Sequence, residues 1–218
     1  KVVLAERHEA PVVNLQMMVD SGYAADSTAL PGVASLTLRM LEEGTATRKS
    51  LEIGEELERL GATFGASINL DGAFVGMNSL KATLPQALGL YADLVRNPAF
   101  PQNEFARLQK DRLAAIAREK VDPQGIALRV VPALMYGQGH VYARTANGTE
   151  DAVGRMTRTD LANYHATWFK PNNATLLVVG DTTLAEITPM LEKTFGGWKG
   201  GEVPKKEIAT VPAPSKPL

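Results

Sequence analysis

The sequence contains no cysteine. That excludes disulfides, thiolate metal sites and cysteine nucleophiles, and leaves the compartment open. It has almost no charge excess: 23 Lys and Arg face 24 Asp and Glu, for a net charge of −1. Without a surplus of basic residues it cannot neutralise a run of phosphates, so no nucleic-acid partner is expected. No stretch nears the ~20 apolar residues of a membrane span, and no signal peptide opens the chain. Histidine is also scarce. His8, His140 and His165 are the whole supply, and no two stand four apart. What remains is the composition of an ordinary globular protein, 44% hydrophobic and 22% charged over 218 residues, enough to bury a sizeable core.

Along the chain, apolar runs Val2–Ala5 and Val12–Val19 flank the turn-rich Arg7-His8-Glu9-Ala10-Pro11, which predicts a hairpin. A Gly- and Pro-bearing loop over Asp20–Gly32 leads into a short helix, Val33–Leu41, that Gly44 stops. Ser50 is expected to cap a second helix through Leu60. Asp71-Gly72 joins the strand-like runs Thr63–Asn69 and Ala73–Leu80 in a second hairpin. Helices follow over Pro85–Arg96, Pro101–Lys120 and from Asp122-Pro123 to Tyr136. A Gly-rich loop spans Gly137–Gly154, and Thr159 is expected to cap a helix ending at Trp168. The apolar strand Ala174–Val179 and a helix over Leu184–Phe195 complete the pattern. Strand pairs and helix pairs without βαβα alternation predict an α+β fold, an antiparallel sheet covered on one face by helices. We expect one domain over residues 1–205 and a linker over residues 206–218. The abrupt strand at Lys1 and the Pro-rich end suggest a piece of a longer protein.

The run from Gly32 to Thr45, G-V-A-S-L-T-L-R-M-L-E-E-G-T, resembles the G-x-A-H-x-x-E-H-M-L-x-x-G-T of the pitrilysin/insulinase zinc peptidases. Further resemblances follow in order: Leu60-Gly61-Ala62; Leu90 to Leu94 leading to Asn97-Pro98-Ala99-Phe100-Pro101; Gly139 to Tyr142; Gly148-Thr149-Glu150; and Trp168 to Thr175 into Val178-Val179-Gly180-Asp181. Together they cover essentially the whole chain. The resemblance implies the fold of the mitochondrial processing peptidase-like metallohydrolases, the same helix-covered sheet. It also implies a peptidase of two halves that close around an unfolded peptide.

The chemistry of the family requires H-x-x-E-H: two histidines on one helix face grip the metal, and the glutamate acts as general base. By the resemblance those positions fall on Ser35, Leu38 and Arg39. The third ligand, a glutamate, falls on Ala115, with Glu119 the nearest carboxylate about one helical turn away. This helix therefore supplies no ligand, and a guanidinium at position 39 repels a dication. At ~4 Å and an effective dielectric constant of about 20, the repulsion is roughly 8 kcal/mol. Ser35 as a nucleophile lacks a base, since Arg39 cannot serve as one. His8 is expected in solvent, His140 to anchor its loop by hydrogen bonds, and His165 to pack at a helix edge.

The expectation is thus a zinc-free, non-catalytic domain, with no cofactor of its own and zinc in a catalytic partner half, fused or separate. Its partners would be that half and unfolded peptide. By the resemblance, the substrate-pairing strand is Thr63–Asn69, with Phe64, Gly65, Ala66 and Ser67 the candidate peptide-binding residues; Gly65 stands where the family has Asn. The Arg/Tyr pair with which the family completes its site is expected downstream of Leu218. Export of bacterial relatives leans the compartment toward the periplasm. The alternative is a scaffold relative resembling the respiratory-complex core proteins, with no proteolytic role.

Overall fold

Five strands form one sheet in the order β1-β5-β2-β4-β3. They are β1 (Val2–Glu6), β2 (Val12–Val19), β3 (Thr63–Ile68), β4 (Ala73–Leu80) and β5 (Ala174–Gly180). The computed structural model describes residues 1–26 and 30–211; part of the expected loop before α1 and the end of the expected linker lie outside that range. All neighbours are antiparallel except β1 and β5, which run parallel, with Val2 opposite Leu176 and Glu6 opposite Gly180. The expected hairpin between the first two strands is therefore corrected: β5 is inserted between β1 and β2. The intervening turn instead binds the end of β5, as Arg7 N–H donates to Gly180 O (2.9 Å) and Asp181 N–H to Val12 O (2.9 Å). The hairpin of β3 and β4 forms as expected.

Alternation along the strands gives the sheet two different faces. Val13, Leu15, Met17 and Val19 of β2, Ala73, Val75 and Met77 of β4, and Leu176 and Val178 of β5 are buried on one side. The other side stays partly open, with Met18, Leu177 and Val179 exposed and Asn14 hydrogen-bonded to Asn78 (2.7 Å). The helices are α1 (Val33–Arg39), α2 (Ser50–Leu60), α3 (Leu84–Arg96), α4 (Gln102–Glu119), α5 (Pro123–Tyr136), α6 (Glu150–Arg155), α7 (Arg158–Trp168) and α8 (Leu184–Phe195). Helices cover the buried face, while α5, which buries none of its residues, packs on α4. Tyr91 of α3 ties its helix to the sheet. Its hydroxyl accepts from Met17 N–H (3.1 Å) and donates to Val75 O (2.7 Å), bridging two residues that face each other across β2 and β4.

Three local expectations are revised. Ser50 is the first residue of α2 and its hydroxyl donates to Glu43 (3.2 Å), while Lys49 is the N-cap and its N–H donates to Glu52 (2.7 Å). Thr157, not Thr159, caps α7: its side chain accepts from Asp160 N–H, and its own N–H donates to the Asp160 carboxylate (2.8 Å), closing a capping box. The Gly-rich loop over 137–154 contains α6, since Thr149 caps a first turn that carries Glu150 and Asp151.

Candidate functional site

The site is built where α1 meets α4 and the loop that precedes α6. Asp26 starts α1: its carboxylate accepts from the N–H groups of Gly32 (2.5 Å) and Ala34 (2.9 Å). Burial pushes this carboxyl up to about 7, against the opposing pull of those two donors and of Arg144. Gly32 (φ 101°) and Gly148 (φ 72°) let two backbones cross. A Cβ on Gly148 would lie 2.1 Å from Pro31 O, so only glycine fits. This crossing holds Asn147 over the start of α1.

Ser35 and Leu38 are buried and Arg39 is exposed. Leu38 points into the core, 2% exposed, so the position matched to the general base is a packing position. Beside Ser35 lies a group that no motif in the sequence singles out: Arg112 of α4, also buried. It stands three residues before Ala115, and Glu119 stands four after, so the three share one helix face. The Arg112 guanidinium donates to Ser35 Oγ (3.0 Å), Asn147 Oδ1 (2.5 Å) and Ala146 O (3.3 Å). None of these acceptors is a carboxylate. Burial, and then the nearby Arg39, pull its pKa below the usual arginine value, while Glu119 raises it.

Glu119 itself is occupied. Asn147 Nδ2 donates to one of its oxygens and Arg129 of α5 pairs with the other, while Arg129 also donates to Gly148 O (2.8 Å). A chain of contacts thus runs Ser35–Arg112–Asn147–Glu119–Arg129 across three helices and one loop. Its donor set does not fit a zinc ion. There is no imidazole, the aligned base is aliphatic, and a guanidinium already fills the space beside Ser35. Among the described residues no group of three His, Asp or Glu side chains could hold a metal ion.

The histidines lie elsewhere. His8 is exposed and its Nδ1 is 2.8 Å from Asp181. That hydrogen bond raises its pKa. His140 Nδ1 accepts from Tyr142 N–H (3.0 Å), which puts the ring proton on Nε2, 2.8 Å from Ala209 O. It anchors its loop as expected and also reaches the C-terminal segment. His165 stacks on Phe169 and pairs with Val95 O (2.8 Å); burial lowers its pKa.

Phe64, Gly65, Ala66 and Ser67 lie on β3, which is an edge strand rather than an interior one. The space above Gly65 is open: a methyl side chain at that position would meet nothing within 4 Å. α1 packs against this strand, which brings the Ser35–Arg39 turn next to the sheet edge.

The sequence profile described as "Insulinase (Peptidase family M16)" matches residues 1–148, and that of "Peptidase M16 inactive domain" matches residues 155–218. The chain belongs to the M16 peptidase family. Because β5 sits between β1 and β2, both matched stretches contribute to one sheet. The chain is 29% identical over 164 residues to the mitochondrial-processing peptidase subunit alpha of Solanum tuberosum, covering 75% of this chain and 32% of that one. It is 21% identical over 198 residues to cytochrome b-c1 complex subunit 1 of Bos taurus, covering 91% of this chain and 41% of that one. A solved structure of a peptidase M16 inactive domain from Pseudomonas fluorescens superposes with a TM-score of 0.89 at 28% identity, over 95% of this chain and 50% of that one. The chain thus spans about a third to two-fifths of the length of these two curated relatives.

Proposed function

We propose that this chain is a zinc-free, non-catalytic domain of a two-half M16 peptidase. In this reading it forms one wall of the chamber, holds the catalytic half and offers β3 to an unfolded peptide as a place for an added strand. The carrying observation is the buried Arg112 guanidinium bound to Ser35, at the position where the zinc peptidases of the family place a ligand. A guanidinium carries positive charge but has no coordination position for a water, so it cannot act as the Lewis acid that a bound metal is. The β3 edge supports the peptide role, because main-chain pairing at an open edge gives affinity without strict sequence demands. Similarity to a relative named as one subunit of a processing peptidase supports the two-half arrangement.

The test is peptide hydrolysis by the protein alone, by a candidate catalytic half alone and by the two together. The reading expects no cleavage from this protein alone and a gain when the two are mixed. Chelator-sensitive cleavage by this protein alone would overturn it. One observation favours a second reading, a scaffold without proteolytic role: the similarity to a cytochrome b-c1 subunit extends over 91% of the chain. That reading expects no effect on the activity of any catalytic half.

A further inference from the structure

We infer that the Arg39–Arg112 corner is a carboxylate-binding site that makes this domain select acidic peptides. The inference rests on the reading of β3 as a peptide-pairing edge and adds a substrate class to it. Arg39 is exposed, one helical turn from Ser35 on α1, and its side chain makes no hydrogen bond or ion pair with the described residues. Arg112 sits behind it, tied to Ser35, with only neutral acceptors on its guanidinium.

The carboxylates nearby offset this pair only in part. Glu119 is held by Asn147 and Arg129. Glu43 is engaged by Arg107 (2.6 Å). Glu42 feels Arg39 at longer range without forming an ion pair. Arg39 lies one turn from the Ser35 that binds Arg112 and is near enough to pull the Arg112 pKa down, and an anion at the exposed Arg39 relieves their mutual repulsion.

α1 packs on the β3 edge, so the carboxylate belongs to the peptide that lies along β3. An aspartate or glutamate side chain, or the terminal carboxylate of the peptide, supplies the same group. Arg39 makes the contact as a planar fork suited to carboxylate oxygens, and Arg112 strengthens the field from behind.

The experiment measures binding of fluorescent unstructured peptides to the purified protein by anisotropy. One peptide carries a central Glu, its twin Gln, a third an amidated C-terminus in place of a free one, and a fourth N-methylated backbone amides. The expected result is a roughly three- to tenfold preference for Glu over Gln at low salt, shrinking as salt is raised. Arg39→Gln, an exposed change that leaves the core intact, is expected to bring that ratio to about one. A preference for the free C-terminus over the amidated one assigns the site to the terminal carboxylate instead of the side chain. Equal binding of all three charge variants, with the N-methylated peptide still weakened, overturns the carboxylate site and leaves the β3 reading standing. Undiminished binding of the N-methylated peptide overturns the β3 reading, and absence of binding by every peptide overturns both.

Discussion

A buried guanidinium bound only to neutral acceptors is costly, and each hydrogen bond it makes offsets part of that cost. Arg112 makes three, to Ser35, Ala146 and Asn147. Replacing it with Met keeps much of the volume but strands three acceptors, and we expect a loss of about 2–4 kcal/mol, read from urea unfolding. Asp26 gives a second prediction at this scale. Its folded-state value of about 7 lies above the ordinary carboxylate value of 3.8, so the folded state binds the proton more tightly than the unfolded chain. Stability is fully supported below about pH 4, falls as pH rises toward about 7, and is flat for this group beyond. A urea midpoint followed across that range should show the decline, and Asp26→Asn should flatten it.

The absence of an H-x-x-E-H run is legible in the sequence itself, and by the resemblance its positions fall on Ser35, Leu38 and Arg39 in one short run. The role of Arg112 is not. Its partners lie 77 and 35 residues away, and a lone arginine in an amphipathic helix looks like a solvated one. Its helical spacing to Ala115 and Glu119 was the available signal.

At the scale of the elements, the turn chemistry of the β3–β4 hairpin is local, and Asp71-Gly72 announced it. The pairing of β1 with β5 is not local. A turn at Arg7–Pro11 permits a hairpin, but β5 competes for the same edge of β2 and brings Leu176 and Val178 to the core. Nothing within the first twenty residues reports that competition. The backbone crossing at Gly148 sets the position of Asn147, so Gly148→Ala should cost at least about 2 kcal/mol, seen as a lower thermal midpoint, because its Cβ would meet Pro31 O and φ is positive. Tyr91→Phe removes the hydroxyl that bridges β2 and β4 and leaves Met17 N–H and Val75 O without it. A loss of about 1–3 kcal/mol is expected by the same measurement.

At the scale of the whole molecule, the chain has the fold of the M16 family, and a network of arginines and amides stands where α1 meets α4. The network supplies what a structural ion would otherwise supply: cross-links between α1, α4, α5 and the loop ahead of α6. In the function proposed above, this centre is complete without zinc. Equilibrium dialysis of the purified protein against dilute zinc, read by elemental analysis, tests it most directly. We expect metal near the level of a protein-free control, unchanged by chelator; one tightly held zinc ion per chain would contradict the account.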